Sequence, residues 1–463
     1  MDKRQLLNKY RVYCATESNY VHTVSLAAPT KCPNDANHTI IDSRTTLLNP
    51  SKNTVQMVDV IGETIYGKPH LGLSMGINNS LLIDVQKGAF GSLKVHEDTP
   101  QVSCDFLYNI SEQLVSITSS NNGSVEHFGN MVMLSTGSNS DAYAKLHTKR
   151  VYRYRPGQGG NVMFTAMFTP GVEGSSQIVG LGSDENGYFF GYNGSNFGVC
   201  RRCDSVDNWT YQCHWNMDKM DGNGPSGQVL DVTKGNVYKI NFQWLGFGSI
   251  LYYIEESETG TFVPVHRIAY ANKNTVTSVV SPTAPIMYEV KNTTNQSNIQ
   301  IKSPCCVAFS EGKKSCMGVT HTIDNTQEIS SSNLTNIVTI RNKDVYLTRS
   351  NFMQCLPNCL SVCTDGSQGV VLYVIRNANF DGTQTWADIS MTSSTTEYDI
   401  SNNNITQGEK WASYAFSKLD SRSIPLNGVN LTLDSGDTLT IAGKVVGGGS
   451  NNVTVALTWL EDR

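Results

Sequence analysis

Charge is scarce in this sequence, and no long apolar run or sustained helical periodicity occurs in it. Only 16% of the 463 residues are charged, well below the roughly 25% of an average soluble domain. The net charge of -5 creates no overall field that would attract a polyanion. These absences exclude a general nucleic-acid-binding role, and we expect no specific nucleic-acid partner.

No window reaches 18 apolar residues, so the sequence predicts no membrane span. The first ten residues, MDKRQLLNKY, carry charge but no apolar core, so we expect no cleaved signal peptide and synthesis in the cytoplasm. Nucleophile elbows of the G-x-S-x-G type and H-E-x-x-H zinc motifs are also missing. The sequence therefore predicts neither an enzyme nor a cofactor, although two-carboxylate glycosidases leave no reliable motif and sugar hydrolysis stays open.

What fills the sequence is alternation of apolar and polar residues, interrupted by Gly, Asn, Ser and Pro. This pattern predicts an all-β protein with a strand every 8–12 residues, typical of two-sheet sandwiches. The chain is too long for one ordinary core. We predict a β-rich N-terminal segment (1–65), a central jelly-roll-type sandwich (66–320), a linker (321–345) and a smaller C-terminal β-sandwich (346–463).

The stretch YKINFQWLGFGSILYYIEE (residues 238–256) shows the pattern most clearly. Tyr238, Phe242 and Trp244 share one face of a predicted strand, with polar residues between them. No helix pattern follows Gly246-Phe-Gly248, so these glycines predict a turn or bulge rather than a phosphate-binding loop. In the next predicted strand, Pro264 favours a sheet edge.

Basic residues concentrate between Lys145 and Arg155. Strand alternation places Arg153 and Arg155 on one face and Tyr152 and Tyr154 on the other. We expect a solvated outer sheet face, with a polyanion or an acidic patch on a neighbouring subunit as alternative partners.

The twelve cysteines include one group with the ligand types of a zinc site, Cys200-x2-Cys203 followed by Cys213-His214. The spacing matches no common finger, so a disulfide or buried thiols remain alternatives. Among the N-x-S/T sequons, we select Asn37, Asn193, Asn208 and Asn292 as glycosylation candidates.

Several ordered stretches resemble one family of β-rich, virion- or capsid-associated structural proteins of large DNA viruses of protists and algae (giant viruses). In chain order they are KYRVYCATESNYVHT (9–23), PTKCPNDANHTI (29–40), YRYRPGQGGNVMFTAMFTPG (152–171), QIVGLGSDENGYFFGYNGSNFGVCRR (177–202), GPSGQVLDVTKGNVYKINFQWLGFGSILYYIEE (224–256), KLDSRSIPL (418–426), LTLDSGDTLTIAG (431–443) and VTVALTWLEDR (453–463). The resemblance implies a structural virion protein, such as a minor capsid or surface fibre component. It also implies a homo-oligomer, contacts with other capsid or virion proteins, and location in the virion.

A second hypothesis follows from the likeness of the predicted central sandwich to lectin jelly rolls. A lectin-like attachment module for host-surface glycans needs an exposed aromatic ring with convergent Asp and Asn side chains. Our candidates for this site are Asp184, Asn186, Tyr188 and Tyr192. A third hypothesis, a polysaccharide-cleaving enzyme, would require paired carboxylates in a cleft.

Overall fold

Strands dominate the computed structural model, which describes residues 8–25, 28–41, 46–47, 74–75, 81–82, 97–313, 318–401, 403–426 and 431–462. Within these ranges the only helical element is a 3-10 turn, Gln212–His214. Among the same residues, no helix has the length and apolarity needed to cross a bilayer. The prediction of an all-β protein is confirmed.

The chain divides into two compact units, the first comprising Met1–Lys87 with Gly91–Lys94 and the second Gly88–Phe90 with Val95–Arg463. The boundary predicted at residues 65 and 66 lies outside the described residues. The strands of the first unit are β1 (Asn8–Cys14), β2 (Asn19–Ser25), β3 (Thr46–Leu47), β4 (Ser74–Met75) and β5 (Leu81–Leu82). β1 and β2 form an antiparallel hairpin, and β3 pairs with the other edge of β1.

The central sandwich begins the second unit and combines a seven-stranded with a nine-stranded sheet. Its strands are β6 (Asp98–Asp105), β7 (Val115–Ser120), β8 (Ser124–His127), β9 (Val132–Ser135), β10 (Tyr143–Thr148), β11 (Gly160–Phe168), β12 (Ser175–Gly182), β13 (Gly187–Asn193), β14 (Asn196–Cys203), β15 (Val206–Tyr211), β16 (Asn236–Phe242), β17 (Ile250–Glu255), β18 (Phe262–Ile268), β19 (Ile286–Asn292), β20 (Gln300–Ser303) and β21 (Cys305–Glu311).

The strand order of the seven-stranded sheet is β15-β14-β13-β12-β19-β10-β7. The nine-stranded sheet runs β18-β17-β16-β11-β20-β9-β8, with β21 joining β11 to β6. Between β9 and β12, and again between β18 and β20, the chain passes from sheet to sheet at every connection. This antiparallel, sheet-switching connectivity is of the jelly-roll type that the sequence pattern predicted.

Aromatic rings from both sheets fill the central core. Tyr238 of the nine-stranded sheet stacks on Phe164, and its ring centroid lies 4.9 Å from that of Phe190 in the facing sheet. Alternation puts these rings on the inner faces of the two sheets. Each such aromatic pair stabilises the fold by about 0.5–1.5 kcal/mol beyond the contribution of the apolar area that it buries. The core therefore lies between the sheets, as the period-2 pattern predicts.

Several local predictions in the central sandwich are confirmed. Gly246 adopts a left-handed φ of 77° in the turn between β16 and β17. Pro264 lies in β18, the edge strand of its sheet, where a residue without a backbone N–H is tolerated. Asn193-Gly194, a dipeptide typical of tight hairpins, joins β13 to β14, with Asn193 paired to Asn196.

The C-terminal sandwich contains a four-stranded sheet, β22-β33-β26-β31, and a six-stranded sheet, β28-β29-β23-β32-β27-β30. Its strands are β22 (Gly318–Ser330), β23 (Thr335–Asn342), β24 (Val345–Tyr346), β25 (Arg349–Ser350), β26 (Gln354–Thr364), β27 (Val370–Phe380), β28 (Ala387–Asp388), β29 (Thr396–Asp399), β30 (Ile405–Phe416), β31 (Ser421–Pro425), β32 (Thr438–Val445) and β33 (Ser450–Asp462). Trp459 is fully buried in its apolar core.

The linker predicted at residues 321–345 is wrong. This stretch forms most of β22 and all of β23, and β22 pairs with β33 over thirteen residues from Gly318 to Ser330. The polar residues of β22 are exposed or half-buried, whereas Thr335, Asn336, Thr339 and Asn342 of β23 are buried. Polar composition therefore indicated a loop where the chain forms sheet.

Candidate functional site

The four side chains predicted to bind carbohydrate do not form an exposed site. Tyr188 is buried in the core, where its hydroxyl lies 3.1 Å from Ser278 Oγ. Tyr192 packs with its ring against Phe168. Both tyrosines lie on β13 at even spacing, so the alternation that makes the strand points them between the sheets.

The polar members of that predicted site have structural partners instead. Asn186 is buried, and its Oδ1 accepts a hydrogen bond of 2.9 Å from the Val280 backbone N–H. The exposed carboxylate of Asp184 accepts hydrogen bonds of 2.7 and 3.0 Å from Lys145 Nζ. The predicted lectin-type constellation is therefore wrong at this position.

The cysteine group predicted to hold a metal is not assembled either. Cys200 is buried among Ile178, Phe189 and Met287, and burial raises the pKa of its thiol. Cys203 is three residues further along β14 and so projects from the opposite face of the strand. Cys213 and His214, which lie in the 3-10 turn, are exposed.

One of the four glycosylation candidates is inaccessible. Asn292 is fully buried, and its Nδ2 donates hydrogen bonds to Thr136 Oγ1, Asn139 O and Ser297 O at 3.2, 3.1 and 2.9 Å. Asn37, Asn193 and Asn208 are exposed. The prediction for Asn292 is wrong because its amide is part of the fold.

A cleft of about 290 Å³ lies between the central and C-terminal sandwiches. Residues from the end of β10 and the segment after it form one wall, and two C-terminal segments form the other. The lining residues are Ser116, His147, Thr148, Lys149, Val151, Pro285, Asp344, Ser350, Asn351, Phe352, Met353, Asp434, Ser435 and Asp437. Clefts at domain interfaces are a preferred location for small-molecule sites.

The acidic corner of the cleft is the short loop between Leu433 and β32, with the sequence Asp434-Ser-Gly-Asp437. Gly436 adopts a φ of 81°, a left-handed conformation that glycine takes without steric cost. The backbone N–H of Asp434 donates to Asp437 Oδ2 at 3.2 Å and closes the turn. The turn thereby brings two buried carboxyl groups to one corner.

The two carboxyl groups differ in their surroundings. Asp437 forms an ion pair with Arg376, and its Oδ1 accepts a 3.0 Å hydrogen bond from Asn377 Nδ2. Asp434 accepts one hydrogen bond of 3.1 Å from Gln354 Nε2. Burial, together with the charge of Asp437, raises the pKa of Asp434 to about 6. Asp434 can therefore be protonated under mildly acidic conditions, when it would donate rather than accept a hydrogen bond.

An aromatic side chain, Phe352, lies half-buried in the same wall. The neighbouring Asn351 is buried; its Nδ2 donates to Asn342 Oδ1 and Lys343 O at 2.8 and 2.6 Å, and its Oδ1 accepts from Met353 N at 2.9 Å. These hydrogen bonds fix the backbone on both sides of Phe352, so the ring is held at the cleft by a rigid segment.

The opposite wall contributes polar groups of the central sandwich. Burial and the neighbouring ammonium groups of Lys145 and Lys149 lower the pKa of His147, so its ring is neutral at pH 7. Thr148 Oγ1 donates to Arg150 O at 2.7 Å and accepts from Ile286 N at 3.0 Å. The wall thus combines one ammonium group with neutral donors and acceptors.

Buried ion pairs hold the two walls together. Arg155 pairs with Asp462 at the end of β33, and Arg153 Nε lies 3.5 Å from the same carboxylate. Arg153 Nη1 also donates to the carbonyl of Phe352 at 3.3 Å. The predicted solvated face for these arginines is wrong, because the C-terminal sandwich covers it. The predicted alternation of arginines and tyrosines on two faces was correct. Residues 151–155 nevertheless form no strand, only a segment with one β-bridge, between Tyr152 and Ala284.

Sequence reasoning missed this cleft, although a signal for part of it was present. The motif LTLDSGDTL places two aspartates around Ser-Gly between apolar alternations, which indicates a tight acidic turn. Nothing local connects that turn with Phe352 or with His147, which lies almost 300 residues earlier. The cleft exists only because the two sandwiches meet.

Comparisons with known proteins give no family assignment, because no family model matches the chain and no curated protein matches it. Several solved structures align with less than half of it. A "Cellulose induced protein, Cip1" is 12% identical, with 45% of this chain and 96% of that chain covered at a TM-score of 0.31. A Bacillus licheniformis beta-glucanase is 13% identical, with 46% of this chain and 99% of that chain covered at a TM-score of 0.31. The lectin-like defense protein arcelin-5 from Phaseolus vulgaris is 8% identical, with 46% of this chain and 99% of that chain covered at a TM-score of 0.31. At these scores they assign no ligand or activity to this chain.

Proposed function

We propose that the protein binds carbohydrate in the cleft between its two sandwiches. The observation that carries this proposal is the convergence of an aromatic ring, Phe352, with the carboxyl groups of Asp344 and Asp434 around a cavity of about 290 Å³. A sugar ring offers an apolar face to an aromatic side chain and a rim of hydroxyl groups to carboxylates. The cavity is at the lower end of the size range of ligand sites, which suits one or two sugar rings.

The polar groups of the cleft favour a neutral polyhydroxyl ligand over an anion. Three aspartates and one lysine line it, so the carboxylates would repel phosphate or sulfate. The three carboxyl groups are also not gathered as metal ligands: among the described residues, Asp344, Asp434 and Asp437 form no group that could hold an ion.

Binding is favoured over cleavage by the state of Asp437. Glycoside hydrolysis requires a second carboxylate that acts as nucleophile or base beside the general acid. Asp434 has the raised pKa expected of an acid, but both Asp437 oxygens accept hydrogen bonds, from Arg376, Asn377 and the Asp434 backbone N–H. We therefore retain the expectation that the protein is not an enzyme.

A glycan array with the full chain tests the proposal, followed by titration of the strongest hit. Phe352→Ala should weaken binding about 2- to 12-fold, since an aromatic contact contributes about 0.5–1.5 kcal/mol. Phe128→Ala is the matched control, because Phe128 is 53% exposed and does not line the cleft. An array without specific hits, or equal affinities of the two variants, would contradict the proposal.

The role in a virus particle stays a prediction that rests on the sequence resemblance. The expected homo-oligomer, the contacts with other virion proteins and the location in the virion depend on it. Mass spectrometry of purified particles tests the location, and absence of the chain from them would refute the prediction. Cross-linking within the particles tests the homo-oligomer and the contacts with other virion proteins. Carbohydrate binding by the isolated chain is measured independently of that result.

A further inference from the structure

We propose that the N-terminal unit contains a structural zinc site formed by Cys14, Glu17, Cys32 and His38. One ligand atom from each of these four residues lies within 4.8 Å of every other. Among the described residues this is the one group of Cys, His, Asp and Glu side chains assembled in this way. All four residues belong to the same unit and require no second domain.

The backbone brings the four residues together from two segments. Cys14 is the last residue of β1, and Glu17 lies in the turn before β2. Cys32 and His38 lie in the loop that follows β2. This loop returns along the hairpin end, where Ala15 N donates to Thr39 O at 2.9 Å and Ile41 N donates to Tyr13 O at 3.1 Å. The loop is thus fastened on one side of the site by backbone hydrogen bonds.

The side-chain distances fit a four-coordinate ion. His38 Nδ1 lies 3.8 Å from Cys14 Sγ and 3.1 Å from Glu17 Oε1. Zinc bonds of about 2.3 Å to sulfur and 2.0–2.2 Å to nitrogen or oxygen place tetrahedral ligand atoms roughly 3.3–3.8 Å apart. The observed separations are close to these values, so a small contraction would complete the shell.

The donor set selects the metal. Two thiolates and one imidazole favour zinc over calcium or magnesium, which prefer oxygen ligands. Cys14 and Cys32 are buried, whereas Glu17 is exposed and His38 intermediate. The ion would therefore have its thiolates inside and its carboxylate towards solvent.

Polar groups lie beside two of the ligands, in the positions from which outer groups orient the ligands of known zinc sites. His38 Nε2 lies 3.7 Å from Asp35 Oδ2, on the side of the ring away from the proposed ion. Asn34 Nδ2 donates to Glu17 Oε2 at 3.1 Å. A disulfide between Cys14 and Cys32 would explain the two sulfur atoms, but not why a histidine, a carboxylate and their partners converge on them.

A structural role is consistent with the position of the thiols. Among residues 10–21, 23 and 28–41, whose side chains are described, Cys14 and Cys32 are buried together with Tyr10 and Val12 of the hairpin. Small folded units are often stabilised by a metal or a disulfide. The ion would connect the hairpin end to the loop and contribute its binding free energy to folding.

The test uses the full chain, purified with a reductant and with zinc in the medium. Metal analysis should find one equivalent of zinc per chain, and cobalt substitution should give the intense visible bands of tetrahedral thiolate coordination. Cys14→Ser and Cys32→Ser should each lose the zinc. The matched control is Cys213→Ser, which removes an exposed cysteine of the group Cys200, Cys203, Cys213 and His214 and should retain it.

Three results would overturn the proposal. One is a reduced wild-type chain without zinc, a measurement that does not depend on any variant folding. Another is zinc retained by Cys14→Ser and Cys32→Ser but lost from Cys213→Ser. The third is a Cys14–Cys32 disulfide in the purified chain that persists in place of metal. Asp35→Asn supplies a further check, since loss of an outer partner should weaken zinc affinity about 10- to 100-fold.

Discussion

Replacing Asp434 with Asn should stabilise the C-terminal sandwich at neutral pH. Asp434 is 8% exposed, and burial and the charge of Asp437 raise its pKa from 3.8 to about 6. At pH 7 the carboxyl group is ionised in an environment that favours its neutral form. Asn is neutral at every pH and retains an oxygen for the hydrogen bond from Gln354.

The sign and size of the effect follow from proton linkage. The folded state binds the Asp434 proton more tightly than the unfolded state, so wild-type stability falls as pH rises from about 4 through 6. The difference between a pKa of about 6 and one of 3.8 corresponds to about 3 kcal/mol at pH 7. Relaxation around the site reduces this figure, and we expect Asp434→Asn to gain about 1–3 kcal/mol at pH 7 and almost nothing at pH 4.

Urea unfolding of the full chain at several pH values between 4 and 7 measures this difference. A single unfolding transition would not distinguish the stability of the C-terminal sandwich from that of the central one. Peptide-resolved hydrogen exchange at one labelling pH measures the two separately. The control is Asp365→Asn, which removes an exposed carboxylate of the same sandwich and should show no pH-dependent gain. A stability difference for Asp434→Asn that is constant from pH 4 to 7 would refute the reasoning.

Three further substitutions probe the architecture. Asp462→Asn removes the buried carboxylate that pairs with Arg155 and should lower the free energy of unfolding by about 3–5 kcal/mol. The loss should appear as faster proteolysis between the sandwiches, and an unchanged cleavage rate would contradict the ion-pair argument. Trp459→Ala should destabilise the C-terminal sandwich by about 3–5 kcal/mol in urea unfolding, and a loss confined to the central sandwich would contradict the core assignment. Gly248→Ala places a methyl group 1.5 Å from the Gln243 carbonyl oxygen and should lower the free energy of unfolding by about 1–3 kcal/mol. An unchanged melting temperature would contradict this expectation and show that the turn adapts.

Local patterns were sufficient where neighbouring residues decide the structure. The alternation around Tyr238, the turn at Gly246 and the edge position of Pro264 could all be read from short windows, because strand geometry and backbone sterics act over a few residues. The same alternation identified two faces of residues 152–155. It could not say which face would be covered, and Arg153 and Arg155 proved to be buried.

The candidate sites show the same limit. Tyr188 and Tyr192 were selected as exposed aromatics, but a strand has two faces and composition does not say which one meets the other sheet. The cysteines of 200–214 are close in sequence and dispersed in space. Cys14 and Cys32 are separated by seventeen residues, yet their thiols converge because the loop folds back along the hairpin.

By itself, the sequence determined the all-β class, the presence of more than one sandwich and the positions of its best turns, since these depend on side-chain periodicity and on glycine and proline stereochemistry. Only the tertiary structure decided where chemistry is possible. The cleft between the sandwiches combines His147 with Phe352 and Asp434, and the cysteine–histidine cluster joins a hairpin end to the loop that follows the hairpin. Both depend on contacts between residues that are not neighbours in the chain. These contacts form through the packing of whole sheets and returning loops, so they leave no periodic signal in the sequence.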